Sequence, residues 1–190
     1  RQEAARTLAE FGRAAAPARA AQLRALTADP DPMVRCACAF SLAAQAGTTG
    51  PEVVPPLVAA LVDRDADTRA MAAAALEKVA RHRPPVDPLR AALTDLDWKV
   101  RNNAASALRQ LGPPARSAVP ALRRLARADP SDRVRVVAGW AVWELDGDAL
   151  EAVAAAADVA QNGSDPAARE LAFQMAREMG PAARPLAGYL

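Results

Sequence analysis

Five segments of this 190-residue chain align without a gap: DPMVRCACAFSL, DADTRAMAAAAL, DWKVRNNAASAL, SDRVRVVAGWAV and DPAARELAFQMA. The arginines in register, Arg35, Arg69, Arg101, Arg135 and Arg169, lie 34, 32, 34 and 34 residues apart, and Arg1-Gln-Glu-Ala-Ala-Arg-Thr-Leu8 begins a sixth copy 34 residues ahead of Arg35. Such a period marks a supersecondary unit that cannot bury its apolar face alone and must stack on its neighbours. A single large globular core is excluded from the outset.

Each column has a physical reason. Three residues after the arginine stands a small side chain, Ala4, Cys38, Ala72, Ala104, Ala138 or Ala172, which permits close helix approach. Seven after it stand Leu8, Leu42, Leu76, Leu108 and Val142, weakening to Ala176 in the last copy. Offsets −1, +3, +7 and +10 trace one face of an α-helix, so the segment predicts a helix with one buried stripe. Four residues before the arginine come Asp31, Asp65, Asp97, Ser131 and Asp165, good N-caps, and Pro32 and Pro166 suit the first helical position. Upstream of each cap, segments such as VVPPLVAALVD and AVPALRRLARAD carry Leu and Val at helical spacing, so one repeat is helix, tight turn, helix. Gly50-Pro51, Leu111-Gly-Pro-Pro114 and Gly180-Pro181 then end the second helices. Composition agrees, with 51 Ala, no Ile and 4% aromatic residues, a palette that favours helices over strands and needs thin layers between them.

The Pro- and Leu-bearing first helix, the Asp at the turn and the Val-Arg ahead of small residues and a Leu resemble the HEAT repeat, in particular the compact bacterial HEAT-like, armadillo-type repeats. The resemblance implies an all-α fold, an α-solenoid of HEAT-like helix pairs (an αα superhelix) with about five full repeats plus a half repeat at each end. The repeats are expected at 1–12 (partial), 15–47, 51–82, 85–112, 115–147, 149–180 and 181–190 (partial), forming a single domain over 1–190. Neither end carries a polar cap, so the chain is expected to be a segment of a longer one. The resemblance further implies that the arginine column and the acid six residues before it are structural links between repeats. That acid is Asp29, Asp63, Asp95 and Asp129 but fails at Gly163, in the copy whose Leu also weakens to Ala176, so the packing of the fifth repeat is the one the sequence specifies least.

Chemistry is sparse, and no catalytic residue, metal ligand or cofactor-binding residue is assigned. His82, the one histidine, lies in Arg81-His-Arg83 between repeats and reads as a solvated turn residue. Cys36 and Cys38 point to different faces of a helix and so should neither chelate together nor form a disulfide; Cys38 belongs to the buried column and Cys36 to the exposed side. No phosphate-cradling glycine loop or nucleophile elbow is present. No stretch reaches 18 uncharged apolar residues and the first residues are charged, so a soluble, cytoplasmic protein with reduced thiols is expected, with no membrane partner.

Three tryptophans stand out. Trp98 falls at −3 of the third copy, and Trp140 and Trp143 at +5 and +8 of the fourth. Offsets −3, +1, +5 and +8 share a helical face separate from the buried stripe, and the HEAT resemblance turns second helices toward the concave surface. Trp98, Asn102, Ser106, Arg109, Val136, Trp140 and Trp143 are therefore the candidate binding face for a protein or peptide, since Trp and Arg dominate interaction hot spots. The competing reading packs Trp140 or Trp143 between helices. Nucleic acid is disfavoured: net charge is +2, and the one basic cluster, Arg116, Arg123, Arg124 and Arg127, sits on a first helix and reads as a solvated face. Trp140, Trp143 and Glu144 faintly resemble the groove of HEAT-like DNA glycosylases, though Glu144 at +9 should turn away from the Trp face. Phycobilin lyases share only the repeat. The expected function is a non-enzymatic scaffold or adaptor.

Overall fold

The computed structural model describes residues 19–45, 51–79 and 85–186. The partial copy at 1–12, Gly50 and His82 lie outside the described residues. Among those described are ten α-helices and no strand. They are α1 (Arg19–Ala28), α2 (Pro32–Ala44), α3 (Val54–Ala60), α4 (Ala66–Val79), α5 (Val86–Ala92), α6 (Trp98–Leu111), α7 (Val119–Ala128), α8 (Asp132–Asp146), α9 (Ala149–Asn162) and α10 (Pro166–Met179). Short 3-10 turns, Pro51–Val53 and Pro113–Ala118, lead into α3 and α7, and a third, Gly180–Leu186, follows α10. Odd-numbered helices are the first of each pair and even-numbered ones the second, and the fold is an α-solenoid of HEAT-like pairs.

The chain divides into two compact units, Arg1–Ala107 and Leu108–Leu190, with the boundary inside α6. In the first unit α2 packs on α1 and α4, and α4 on α3; in the second α8 packs on α7, α9 and α10.

The caps are those written in the sequence, with one exception. Asp31, Asp97 and Asp165 accept a hydrogen bond from the backbone N–H two residues on, at 2.7–2.9 Å, and Asp65 accepts from Thr68 at 2.8 Å, satisfying donors that a helix start leaves orphaned. Ser131 makes no such side-chain bond. Gly112 and Gly180 end α6 and α10 at φ 67° and 54°, a left-handed region where a Cβ is strained, and the proline that follows each prevents the helix from resuming. The stripe at −1, +3 and +7 is buried in every described copy, from Val34, Cys38 and Leu42 to Val134, Ala138 and Val142. Where the last copy weakens to Ala176, the neighbouring Met175 is fully buried and supplies the missing bulk.

The arginine and aspartate columns knit the repeats. Arg35 grips Asp63 of the next repeat through Nε and Nη2, both at 2.7 Å, and Arg69 grips Asp95 in the same way at 2.7 and 2.8 Å. Nη1 of Arg35 and of Arg69 donates back to the carbonyl of its own turn, Asp29 at 2.8 Å and Asp63 at 2.9 Å. Each gripped carboxylate also accepts the N–H two residues on, so one aspartate closes its turn and holds the preceding arginine. Burial pushes the Asp63 carboxyl up, but the Arg35 guanidinium and the Asp65 N–H outweigh it and hold it below the usual aspartate range. The Arg69 hydrogen bond does the same for Asp95.

At Gly163 the acid is missing, and Asp132 from the start of α8 takes its place. Its Oδ2 accepts from the N–H groups of Ser164 and Asp165, at 2.9 and 3.3 Å, while Oδ1 accepts from Arg135 at 2.8 Å. Gly163 must stay small. A Cβ there would lie 2.4 Å from the Val159 carbonyl oxygen and 3.1 Å from Asp132 Oδ2. Arg135 also reaches Asp158 at 3.0 Å. The joint the sequence specifies least is thus built from the other side.

Candidate partner-binding face

The seven residues of the predicted face divide between the units. Trp98, Asn102 and Ser106 belong to the first, and Arg109, Val136, Trp140 and Trp143 to the second.

In the first unit the face is open. Trp98 opens α6 and is 37% exposed, while Asn102 and Ser106 are half-buried. Asn102 donates weakly to Asn103 at 3.3 Å, and its own Oδ1 is buried without a hydrogen-bond partner among the described residues. Phe40, at +5 of the first described repeat, is 49% exposed. Cys36, on the same register, is half-buried; burial and then Asp67 push its thiol up, and burial with Asp29 takes Cys38 up to about 11. Neither is a thiolate nucleophile at neutral pH.

In the second unit the expected open face is closed at two positions. Val136 is fully buried and Trp140 is 4% exposed, both inside the core that Met175, Met179 and Ala183 close from the following repeat. Their offsets place them on a second apolar arc of α8, and α10 covers that arc. Gly139 adds to this: a Cβ there would meet the Ala152 Cα and Ala155 Cβ at 3.2 Å, so α9 approaches α8 closely as well. Trp143 is partly buried against the same core. Val136 and Trp140 are therefore core residues rather than an open contact surface.

What remains accessible is built over Trp140. Its indole face carries the Arg109 guanidinium, 4.3 Å from the ring centroid, a cation–π contact. Arg109 Nη1 donates to Glu144 Oε1 at 2.9 Å, so Glu144 is brought to the Trp face instead of turning away from it. The Trp140 indole N–H is buried and meets no acceptor among the described residues, a deficit that costs about 1–3 kcal/mol for a buried donor.

Three of the four arginines in the basic cluster on and before α7 are engaged. Arg123 pairs with Asp146 at 2.7 Å and Asp148 at 2.8 Å, Arg127 chelates Glu151, and Arg116 donates to the Leu145 carbonyl at 3.0 Å. Arg127 in turn holds the Glu151 carboxyl below its usual range. No cluster able to hold a metal ion occurs among the described residues, and none of the described helices is long and apolar enough to cross a membrane.

The family model of HEAT repeats matches residues 1–77 and 54–143. The chain belongs to the HEAT-repeat family. No match to a protein of curated function was found. Among solved structures, this HEAT-repeat chain is similar to an engineered protein at 24% identity and a TM-score of 0.60, covering 92% of this chain and 87% of that one. A second engineered protein matches at 22% identity and a TM-score of 0.57, covering 99% and 89%. The complex of CpcE and CpcF of phycocyanin lyase from Nostoc sp. PCC7120 matches at 18% identity and a TM-score of 0.59, covering 84% and 98%. At these identities the likeness is one of HEAT-repeat fold.

Proposed function

We propose that this HEAT-repeat chain is a non-enzymatic scaffold that binds a protein or peptide partner along the face of its second helices, in one domain formed by all its repeats. The reading rests on one observation. In a chain with so few aromatic residues, Trp98 at −3 and Phe40 at +5 keep 37% and 49% of their surface exposed on the helical face traced by offsets −3, +1, +5 and +8, with half-buried Asn102 and Ser106 following Trp98 on α6. Large rings left in water at fixed positions on rigid helices bind with little ordering cost. Val136 and Trp140 contribute by shaping the scaffold, and Arg109 and Trp143 edge the face in the second unit.

The test is affinity capture with the chain, followed by titration of the captured partner against Trp98→Ala and Phe40→Ala. The expected loss is about tenfold or more for one or both, the scale of a hot-spot residue, with helical content kept and the melting temperature lowered by no more than about 4 °C. A partner that binds both variants at parental affinity sinks this reading.

The fold likeness to the phycocyanin lyase pair favours a second reading, a lyase-like role toward a bilin and its acceptor protein. Visible absorbance retained by the chain after gel filtration with a free bilin would support it; none would remove it. A nucleic-acid role has less support, because Arg123 and Arg127 of the basic cluster are already paired.

A further inference from the structure

The Arg109 guanidinium differs from the repeat arginines around which the fold is built. Arg35 and Arg69 each use Nε and Nη2 on one carboxylate and Nη1 on two backbone carbonyls, meeting four acceptors in all. Arg109 donates through one N–H to one oxygen of Glu144 and meets no other acceptor among the described residues. Its remaining N–H groups are not sealed from solvent. The cation–π contact with Trp140 and the bond to Glu144 nonetheless tether the guanidinium over the indole ring. The Glu144 carboxylate that neutralises it is about one-third exposed and bound on a single edge. Beneath the stack lies a second unsatisfied donor, the buried indole N–H of Trp140.

We propose that the Arg109–Trp140 stack recognises a carboxylate, presented by an acidic side chain of the partner, which exchanges with Glu144 on the guanidinium. This rests on the scaffold reading and names the chemistry of one contact within it. The guanidinium at the stack is already neutralised by the Glu144 carboxylate. An incoming anion therefore gains only by displacing Glu144, and the exchange replaces a one-edge contact with a two-edge one on a guanidinium already tethered over the ring. A neutral acceptor gains little, because Glu144 already supplies a stronger one. The mechanism is counter-ion exchange, with the salt bridge acting as an occupied but replaceable plug.

The probe is sodium propionate, the glutamate side chain without its backbone, titrated into the 190-residue chain against propionamide and sodium chloride at matched concentration. Nitrogen–proton NMR reads the three indole N–H signals, assigned by single Trp→Phe substitutions, together with the Arg109 Nε–H. Propionate is expected to shift the Trp140 and Arg109 signals saturably, with propionamide and chloride giving at most a small linear drift. Glu144→Gln removes the competing charge while keeping an acceptor, and should tighten propionate roughly two- to fivefold, the worth of a surface pair. Arg109→Gln should abolish the saturable shift. Equal shifts with propionamide, or an unaltered propionate affinity in Glu144→Gln, overturn the proposal. These readouts need no partner, so they succeed or fail separately from the Trp98 and Phe40 measurement.

Discussion

Trp140 and Trp98 make opposite predictions although both are tryptophans on second helices. Trp140 is enclosed by Val136, Met175 and Met179, so Trp140→Ala should destabilise by about 3–5 kcal/mol, read as a fall in the urea midpoint. Trp98→Ala should cost less, about 1 kcal/mol, since 37% of the residue is already exposed. If instead Trp140→Ala leaves the midpoint unchanged, Trp140 is not the core residue described above. Gly163 gives a second contrast. Repeat logic alone would restore the aspartate column with Gly163→Asp and expect a gain. The Val159 carbonyl and the Asp132 carboxylate already fill that space, so the substitution should lose about 1–3 kcal/mol. Helical content and thermal midpoint by circular dichroism decide the sign.

At the scale of elements, the joints set the response to acid. Asp63 and Asp95 titrate lower in the folded chain than in the unfolded one. The sign follows: the unfolded chain takes up these protons first as pH falls. The stabilisation is complete near neutral pH and is lost progressively below the ordinary aspartate value of about 4. Unfolding midpoints measured from pH 6 to pH 3 should fall steeply at the acid end. Asp63→Asn should lower stability at pH 7 by about 3–5 kcal/mol, because it leaves the buried Arg35 without its counter-charge, and should flatten the acid limb. The second helices, their caps and the Arg–Asp columns were legible in the sequence because each depends on residues at fixed offsets within one copy. The fate of Val136 and Trp140 was not. A helical wheel finds two apolar arcs on α8 but cannot say which of them the next repeat covers. One signal was there to be used: VVAGWAV is apolar all round, the mark of a helix enclosed on several sides. The Arg109–Glu144 bridge joins the second helices of adjacent repeats, 35 residues apart, but offset +9 falls off the face traced by −3, +1, +5 and +8, so the wheel turned Glu144 away from the partner it meets.

For the whole molecule, stacking means that a repeat contacts its neighbours and little else. Damage should therefore stay local. Asp63→Asn acts in the first unit and Gly163→Asp in the second, with no shared hydrogen-bond partner. Their free energies should add to within about 0.5 kcal/mol in the double variant, measured by urea denaturation. A larger coupling would mean that the repeats communicate beyond nearest neighbours.

The substitution of Asp132 for an acid at 163 also gives the chain a syntax. At the position of Asp132 the other copies carry Pro32, Ala66, Trp98 and Pro166, none of which could accept from the turn around Gly163. The fifth repeat can therefore follow only the fourth. Although the repeats look like interchangeable words, this pair is a fixed phrase, and a chimera that moved the fifth elsewhere would be ungrammatical at its first turn.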